Sequence, residues 1–484
     1  MLNIPKVRLG IIAVSRDCFD IQLAIKRRQR VVSLVIDKGI NIVECATTVR
    51  NEAEAVKALE DVKGINALII YHADYGPEGP STLMAQRFNG PVMFVGAAEE
   101  NKSDLMNARS DAMAGLLSAG YNMSLRGINP YIPANPIGTY LEVADMIEDF
   151  YNISRVTIGI KRLKIITFGP RPQDFFACNA PIKPLFDLGV ELEENSELDL
   201  YKSYKEHLGD PRIDEVTEEM IQELSGNAYK EYLPKFAALE LALLDWYLEH
   251  RGACKFVIYA NKCWPAFESE FGFAPCYVNS RLTAKGIPVA CEVDIYGVLS
   301  EFMLQLASKE PVALLDINNN VPKELFDELD TKHAIKDLFI GFHCGNTASC
   351  MVKNPELKYH KIMHSILEPG NAPDITVGTL EGMLKASETT LFRLMSDPES
   401  RLKAYILEGE ILDAPDFTFG SAGIFAIPGM ARFYRHILIE KRFPHHTAVA
   451  FRKSGRIIFE ALKLLGIKDI YSVSSALYPT ENPF

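Results

Sequence analysis

The sequence predicts an α/β protein in which two doubly wound domains precede a β-rich C-terminal domain. Three observations support this fold class. Strand-like and helix-like segments alternate over roughly the first two thirds of the chain, the pattern then turns β-rich, and 484 residues are many for a single hydrophobic core. We therefore expect domains over residues 1–155, 156–320 and 321–484.

The first predicted domain alternates short apolar runs with amphipathic segments. Parallel strands need helical crossovers, so this order predicts a doubly wound sheet. The predicted strands cover residues 7–13, 40–45, 67–71 and 91–96, and the predicted helices cover 19–38, 51–62, 104–118 and 140–152.

The second predicted domain opens with a strand over residues 163–168, and its middle is acidic and helical over 217–224 and 237–250. Gly252 is a candidate C-cap for the second of these helices, and a strand follows at 255–259. The third predicted domain is mixed or barrel-like. Its predicted strands cover 338–343, 375–379, 401–409 and 447–452, and a closing helix covers 455–465.

Two carboxylates, Glu292 and Asp316, each end an apolar strand-like run, and residues 293–309 between them have a helical pattern. Strand, helix and strand in this order predict two parallel strands whose carboxyl ends meet at one sheet edge. Two acids there can share a divalent cation or divide a proton transfer between them. The alternative is that both are helix N-terminal acids favoured by the helix dipole. The pair, together with nearby histidines, favours a site.

Three histidines extend this candidate site. His445 and His446 precede an apolar strand and point to opposite sides of an extended chain, so one can face a site while the other does not. His343 ends another apolar strand-like run. Surface or core placement is the alternative for each histidine alone. Carboxylates with one or two histidines make a ligand set that suits manganese better than structural zinc.

Composition excludes several other classes of protein. A formal net charge of −12 argues against nucleic-acid and anionic-membrane partners. No apolar run is long enough to span a bilayer, and the N-terminus runs into a strand without the layout of a secretory signal. The nine cysteines are scattered without a Cys-x-x-Cys pair, which predicts reduced thiols in a cytoplasmic protein. The chain also lacks a Walker loop and a Gly-x-Gly-x-x-Gly turn, so we expect no nucleotide cofactor.

Five segments resemble the L-fucose isomerase and L-arabinose isomerase superfamily, most closely its shorter fucose-isomerase-like branch. They are Ala-Cys-Glu-Val-Asp-Ile-Tyr-Gly at 290–297, Leu-Leu-Asp-Ile around Asp316, Phe-His-Cys-Gly-Asn at 342–346, His-His-Thr at 445–447, and Asn-Lys-Cys-Trp-Pro at 261–265. In this order and spacing they are specific to the superfamily, although not to one sugar.

The resemblance implies a fold of two Rossmann-like domains followed by a β-rich C-terminal domain. It also implies homo-oligomers, hexamers or trimers, with sites between subunits. Arg16 falls on the first-strand turn that reaches substrate from a neighbouring subunit in similar enzymes. By the same resemblance, we expect substrate contacts from residues of the matched segments, namely Lys262, Trp264, Asn346 and His445.

The resemblance further implies that Glu292, Asp316 and His446 bind manganese. His446 is preferred over His445 because the ligand in the superfamily immediately precedes a Thr or Gly, and Thr447 follows His446. His343 matches a fourth ligand of the arabinose-type enzymes.

The main functional hypothesis is a metal-dependent aldose–ketose isomerase. Such a reaction moves a proton between C1 and C2 of a monosaccharide through an ene-diol, and a divalent cation stabilises the developing charge on the two oxygens. Glu292 and Asp316 are the candidate catalytic residues, because carboxylates can exchange the protons.

Two alternatives remain open from the sequence. The chain has only two tryptophans, so aromatic platforms for a neutral deoxysugar are scarce, while Arg16, Lys262 and Arg171 could bind an anion. An isomerase of an anionic aldose, such as a sulfonated hexose, is therefore the first alternative. A non-catalytic sugar-binding sensor is the second, because paired α/β domains also bind sugars without chemistry.

Overall fold

The computed structural model describes residues 1–107, 109–226 and 228–473, which form two compact units. The smaller unit contains Pro5–Ile158 and Glu460–Gly466, and the larger contains Met1–Ile4, Gly159–Phe459 and residues 467–473. Within these described ranges, no helix is both long and apolar enough to cross a membrane. The predicted domain boundaries at residues 155 and 320 stay a prediction.

The smaller unit is built on a parallel sheet whose central strands are buried along their whole length. Its strands are β1 (Leu9–Val14), β2 (Ile42–Glu44), β3 (Ala67–His72), β4 (Val92–Ala97) and β5 (Ile137–Gly138), in the spatial order β2-β1-β3-β4-β5. Its helices are α1 (Ile21–Asp37), α2 (Glu52–Asp61), α3 (Glu78–Arg87), α4 (Asp104–Asn107), α5 (Ala112–Arg126) and α6 (Tyr140–Ile160), the last of which runs on to the start of the larger unit.

The larger unit begins with a second parallel sheet, which carries the first candidate carboxylate. Its strands are β6 (Leu163–Phe168), β7 (Glu191–Asn195), β8 (Phe256–Ala260) and β9 (Val289–Ala290), in the order β7-β6-β8-β9. Its helices are α7 (Lys183–Leu188), α8 (Glu197–His207), α9 (Ile213–Glu223), α10 (Leu233–His250), α11 (Phe267–Phe271), α12 (Cys276–Ala284) and α13 (Ile295–Ser308).

A nine-stranded mixed sheet makes up the rest of the larger unit. Its strands are β10 (Ala313–Asn319), β11 (Leu338–His343), β12 (Glu356–Tyr359), β13 (Val377–Met383), β14 (Ser387–Ser396), β15 (Leu402–Leu412), β16 (Ser421–Ala426), β17 (His446–Ala450) and β18 (Asp469–Tyr471). The accompanying helices are α14 (Lys323–Asp327), α15 (Lys361–Leu367) and α16 (Met430–Phe433), which continues as a π-helical turn over Tyr434–Ile439. Helix α17 (Gly455–Leu464) starts in the larger unit and belongs to the smaller unit from Glu460 on.

Six of these strands close into an antiparallel barrel. Strand β16 pairs with both β11 and β15, and the ring continues from β11 through β10, β17 and β14 back to β15. Closure removes the exposed edges that an open sheet would present. The predicted fold class, with parallel α/β sheets followed by a β-rich region, is confirmed.

The predicted strand–helix–strand unit around the two acids is wrong. Strand β9 belongs to the parallel sheet, whereas β10 lies in the mixed sheet and runs antiparallel to both of its neighbours. The helix between them explains the difference. Every residue of α13 is buried, because it packs on β8 and β9 of one sheet and on β10, β14 and β17 of the other. A crossover helix on a single sheet would leave one face in water.

The predicted helix over residues 104–118 is two helices. Helix α4 ends at Asn107, and α5 starts at Ala112 after Asp111 adopts a left-handed backbone with φ of 52°. This conformation interrupts the helical geometry, and Asp tolerates it better than most residues.

Gly378 of β13 allows two segments to approach closely. Its φ is +138°, and a Cβ at this position would lie 2.0 Å from the carbonyl oxygen of Ala274. Because the two segments lie this close, the Ala274 amide donates a hydrogen bond to the carbonyl of Val377 over 2.8 Å. No side chain fits there without moving backbone.

We predict that Gly378→Ala lowers the free energy of unfolding by about 3 kcal/mol, since steric overlap adds to backbone strain. Urea denaturation followed by circular dichroism measures the change. Gly272→Ala is the matched control, because Gly272 also has a positive φ of +75° but a Cβ added there would meet nothing within 4 Å. We expect it to cost about 1 kcal/mol. Equal losses in the two variants would contradict the steric argument.

Candidate active site and metal centre

Asp316 and His446 are brought together by strand pairing. Asp316 lies in the middle of β10, and His446 is the first residue of β17 and its direct antiparallel partner. Directly opposed residues project to the same face with close Cβ atoms. The Nε2 atom of His446 lies 3.4 Å from Oδ1 of Asp316. His446 is 1% exposed, whereas the Asp316 side chain is 23% exposed and so borders an accessible space.

Glu292 reaches this face from a strained turn between β9 and α13. Glu292 and Val293 have φ values of 56° and 54°, a left-handed conformation that is a real outlier for β-branched valine. Asn261 holds the turn on both sides, because its amide donates to the carbonyl of Ala290 over 3.1 Å and its carbonyl accepts from the Val293 amide over 2.9 Å. The side chains of Asn261 and Asn279 exchange two hydrogen bonds of 2.9 Å beneath it.

The resulting cluster has the donor set of a cation site. Oε2 of Glu292 lies 3.1 Å from Nε2 of His446, yet it has no aligned hydrogen bond from any described residue. Nδ1 of His343 and Oδ1 of Asn346 are likewise buried without hydrogen-bond partners in the described chain. Buried polar atoms rarely remain unpaired, so the unpartnered atoms of Glu292 and His343, with a second carboxylate and the imidazole of His446, fit a bound divalent cation.

Two buried residues, Asp294 and Arg393, fix the orientation of His446 on its Nδ1 side. Nδ1 of His446 lies 2.8 Å from Oδ2 of Asp294, and Asp294 accepts two hydrogen bonds from Arg393, with an Nη2–Oδ1 distance of 2.9 Å. Oδ1 of Asp294 also caps α13 by accepting from the Gly297 amide over 2.8 Å. A carboxylate on Nδ1 fixes the imidazole tautomer and directs Nε2 to the site.

The charges of the metal-free cluster favour cation binding at higher pH. Burial raises the pKa of Asp316 to about 6, and the positive charge of His446 opposes this rise. Burial disfavours imidazolium, but the interactions with Asp294, Cys178 and Glu292 outweigh it and raise the pKa of His446 well above its usual value. A cation must displace these protons, so its affinity falls as pH falls through the two pKa values.

Aromatic side chains cover the cluster. The Phe175 ring has its centroid 5.6 Å from that of His445, 6.1 Å from that of His446 and 6.3 Å from that of Trp264. Burial raises the pKa of the Glu292 carboxyl, but His446, with a smaller contribution from Trp264, outweighs it and lowers that pKa. These contacts exclude water from part of the cluster.

The other predicted site residues occupy different positions. His445 borders the cluster, with Nε2 3.7 Å from Oδ1 of Asp316, and burial lowers its pKa to about 4. Lys262 is 5% exposed, and its ammonium group lies 3.1 Å from Glu197 and donates to the carbonyl of Pro170 over 3.0 Å.

Arg16 belongs to the smaller unit. There, its guanidinium lies 4.8 Å from the centroid of the Tyr75 ring, and its Nε donates to the Tyr75 carbonyl over 3.3 Å. Its role in binding substrate stays a prediction.

Sequence reasoning missed the supporting residues Asp294, Arg393 and Phe175. Asp294 had a signal, because it sits two residues after Glu292 in an N-cap position. Arg393 had a weaker one, as a lone charge in the apolar run Leu391–Met395 of a strand. Nothing in the sequence connects Phe175 to the site.

Two family models match the chain. The fucose/sulfoquinovose isomerase N-terminal domain matches residues 10–161, and the L-fucose isomerase C-terminal domain matches residues 341–472. The chain belongs to the fucose isomerase-like family. The predicted resemblance is therefore confirmed, and the protein is an aldose–ketose isomerase, which is an intramolecular oxidoreductase. The family is metal-dependent in general, which agrees with the donor set around His446.

Curated relatives of the isomerase carry a more specific description. Sulfoquinovose isomerases of Priestia aryabhattai and Priestia megaterium are each 24% identical over 466 residues, which cover 94% of this chain and 97% of the relative. The sulfoquinovose isomerase of Alkalicoccus urumqiensis is 25% identical over 330 residues, or 67% of this chain and 68% of the relative. These similarities favour the anionic-sugar alternative over a neutral fucose- or arabinose-type substrate.

We predict that Asp294→Asn weakens manganese binding by about 10–100-fold, because an amide no longer fixes the Nδ1–H tautomer of His446. Isothermal titration with MnCl2 measures the affinity on protein whose circular dichroism is native. The control is Asp413→Asn, the same change at a carboxylate whose side chain is 80% exposed. An unchanged dissociation constant in Asp294→Asn would contradict the positioning role.

Proposed function

We propose that the protein is a manganese-dependent isomerase that interconverts a sulfonated aldose, of the sulfoquinovose class, and the corresponding ketose. The observation that supports this most directly is the convergence of Glu292, Asp316 and His446 in one partly covered cluster of an isomerase-family chain. The sugar is inferred from the relatives named sulfoquinovose isomerases.

Glu292, Asp316 and His446 are the proposed manganese ligands, with His343 as a fourth. Their two carboxylates and two imidazoles offer oxygen and nitrogen donors, a set that manganese accepts. When bound, the cation would stabilise negative charge on O1 and O2 of an ene-diol. The burial of His343 supports its inclusion, since burial lowers its pKa to about 4 and keeps the imidazole neutral and able to donate a lone pair.

Glu292 and Asp316 are the proposed acid–base pair. In the aldose-to-ketose direction, one carboxylate removes the proton from C2 while O1 gains a proton, which gives the ene-diol. C1 then gains a proton as the O2 hydroxyl loses its own. Both side chains lie beside the same His446 nitrogen, at 3.1 and 3.4 Å, so a C1–C2 unit bound there is within reach of both. Their different pKa directions, lowered for Glu292 and raised for Asp316, suit one base and one proton donor.

The covering aromatic residues support the same chemistry. Phe175 and Trp264 limit water around the carboxylates, which protects the ene-diol from exchange and strengthens charge interactions. His445 borders the cluster. His445 and Asn346, whose Oδ1 is buried without a hydrogen-bond partner in the described chain, are proposed to hydrogen-bond sugar hydroxyls.

Arg171 is the proposed partner of the sulfonate in the larger unit. Its Nε is buried without a hydrogen-bond partner in the described chain, and its guanidinium lies 4.6 Å from the centroid of the Phe176 ring. Phe176 follows Phe175, which contacts the histidines, so this arginine lies on the segment that covers the cluster. Lys262 is less suited to this role, because Glu197 already neutralises it.

The proposal also covers the oligomeric state of the protein, which the family resemblance implies, and its cellular location. We propose a cytoplasmic homo-oligomer, a hexamer or trimer, in which Arg16 of a neighbouring subunit contacts the sugar. Neither nucleic acid nor membrane is expected as a partner of this acidic chain. The alternative of a non-catalytic sugar sensor has less support, because it leaves the carboxylate–histidine cluster without a role.

We predict that Glu292→Gln reduces isomerisation by about 100- to 10,000-fold, since it removes both a base and an anionic ligand. Ketose formation from the sulfonated aldose with added manganese measures activity, and elemental analysis measures metal content. Glu301→Gln is the matched control, because burial raises the pKa of Glu301 well above its usual value and glutamine resembles its neutral form. Retained turnover of Glu292→Gln at wild-type metal content would exclude the catalytic role.

We predict that Arg171→Ala reduces kcat/KM for the sulfonated aldose by about 10- to 100-fold, because a charge-assisted hydrogen bond contributes about 1.5–3 kcal/mol. Activity on the unsubstituted hexose should stay within about twofold of its wild-type value. Neutral pentoses and 6-deoxyhexoses are assayed as well. The control is Arg435→Ala, the same change at an arginine whose side chain is 78% exposed, and it is assayed on all of these sugars. Equal losses on neutral and sulfonated sugars would show that Arg171 only stabilises its loop.

A further inference from the structure

A second group of metal-binding side chains lies in the larger unit, separate from the carboxylates of the proposed active site. One ligand atom each from Cys263, Glu268 and His360 falls within 4.8 Å of the others. The three residues are 3%, 0% and 4% exposed, respectively. None of them is used by the isomerase mechanism.

The three residues of this group lie in or beside regular secondary structure, which fixes their backbone positions. Cys263 follows β8, Glu268 lies in the first turn of α11, and His360 is the N-cap residue of α15. The His360 amide donates to the carbonyl of Thr376 over 2.7 Å. Three separate elements therefore present one donor each to a common point.

The hydrogen bonding of the group is incomplete. The only ion pair of Glu268 among the described residues is with His360, at 3.3 Å between Oε1 and Nδ1. Oε2 of Glu268 and Nε2 of His360 are both buried without hydrogen-bond partners in the described parts of the chain. A fully buried carboxylate is expected to be paired or to coordinate a metal, and a single long contact does not satisfy it.

Unlike the proposed active site, this second group includes a sulfur ligand, the thiol of Cys263. A thiolate, an imidazole and a carboxylate form a borderline-soft set that favours zinc or cobalt over manganese. Ligand atoms of a tetrahedral zinc lie about 3.5 Å apart, so small side-chain rotations from the present spacing suffice. The buried Cys276 packs against Cys263, so the three side chains leave a fourth position that a neighbouring thiol or a water can take.

We propose that Cys263, Glu268 and His360 form a second, structural transition-metal site that takes zinc. The metal would tie the segment after β8 to α11 and to the start of α15. Trp264 directly follows Cys263, and its ring contacts Phe175, which covers the carboxylate–histidine cluster, so the site would also fix one wall of the active site. Thiolate and imidazole together with a buried carboxylate satisfy the atoms that the protein leaves unpaired.

Cobalt binding to the purified full-length protein tests this site. Co²⁺ is added in excess and removed from solution by dialysis, and bound cobalt is then counted by elemental analysis while thiolate-to-cobalt charge transfer is recorded by near-ultraviolet absorption. We expect about two equivalents and a charge-transfer band in the wild type. Asp316→Asn should lose about one equivalent and keep the band, whereas Cys263→Ser and His360→Gln should lose the other equivalent, and Cys263→Ser also the band.

Two control variants exclude other thiols. Cys178 lies 3.9 Å from Nδ1 of His446, and Cys350 is exposed, so Cys178→Ser and Cys350→Ser should both retain the band. No band in the wild type, or the same band and cobalt content in Cys263→Ser, would overturn the proposal. Should Cys263→Ser fail to fold, loss of the band in Asp316→Asn or in Cys178→Ser would decide against the site, and its retention in both would support it. The isomerase proposal fails separately, if Asp316→Asn binds as much cobalt as the wild type.

Discussion

The buried ion pair between Asp294 and Arg393 is the interaction on which the candidate active site depends. Asp294 caps α13, accepts from both terminal nitrogens of Arg393 and holds Nδ1 of His446. All three side chains are at most 1–2% exposed, so none of these charges can be solvated by water instead. Removing one partner of such a buried pair typically costs about 3–5 kcal/mol. The same contacts therefore stabilise the fold and orient a metal ligand.

This network explains why the site lies where two sheets meet. Glu292 and Asp294 come from the turn after β9 of the parallel sheet, whereas Asp316, Arg393 and His446 come from strands of the barrel. Helix α13 is buried against both sheets and fixes their separation. The left-handed backbone at Glu292 and Val293 persists only because these surroundings determine it, as is common at active sites.

Charge distribution limits how an anionic sugar can be recognised. The chain has a formal net charge of −12, and the candidate cluster itself contains several carboxylates. An anionic group must therefore meet a local cation that the protein does not already neutralise. Lys262 is paired with Glu197, whereas Arg171 keeps a buried Nε without a partner in the described chain. A single well-placed guanidinium can distinguish a sulfonate from a hydroxyl, because its planar donors match an anion with several oxygens.

The sequence by itself determined the fold class and the main members of the cluster. Strand and helix periodicities are local, and acids or histidines that end or start apolar runs can be recognised from neighbouring residues alone. The tertiary structure decided that β9 and β10 belong to different sheets, that Asp316 pairs with His446 across strands, and that Arg393 supports Asp294. These contacts join residues far apart in the chain, since Asp316 and His446 are 130 positions apart and Asp294 and Arg393 are 99 positions apart. Local periodicity in the sequence does not indicate which strands pair with each other, because strand pairing in the barrel depends on packing of the whole unit.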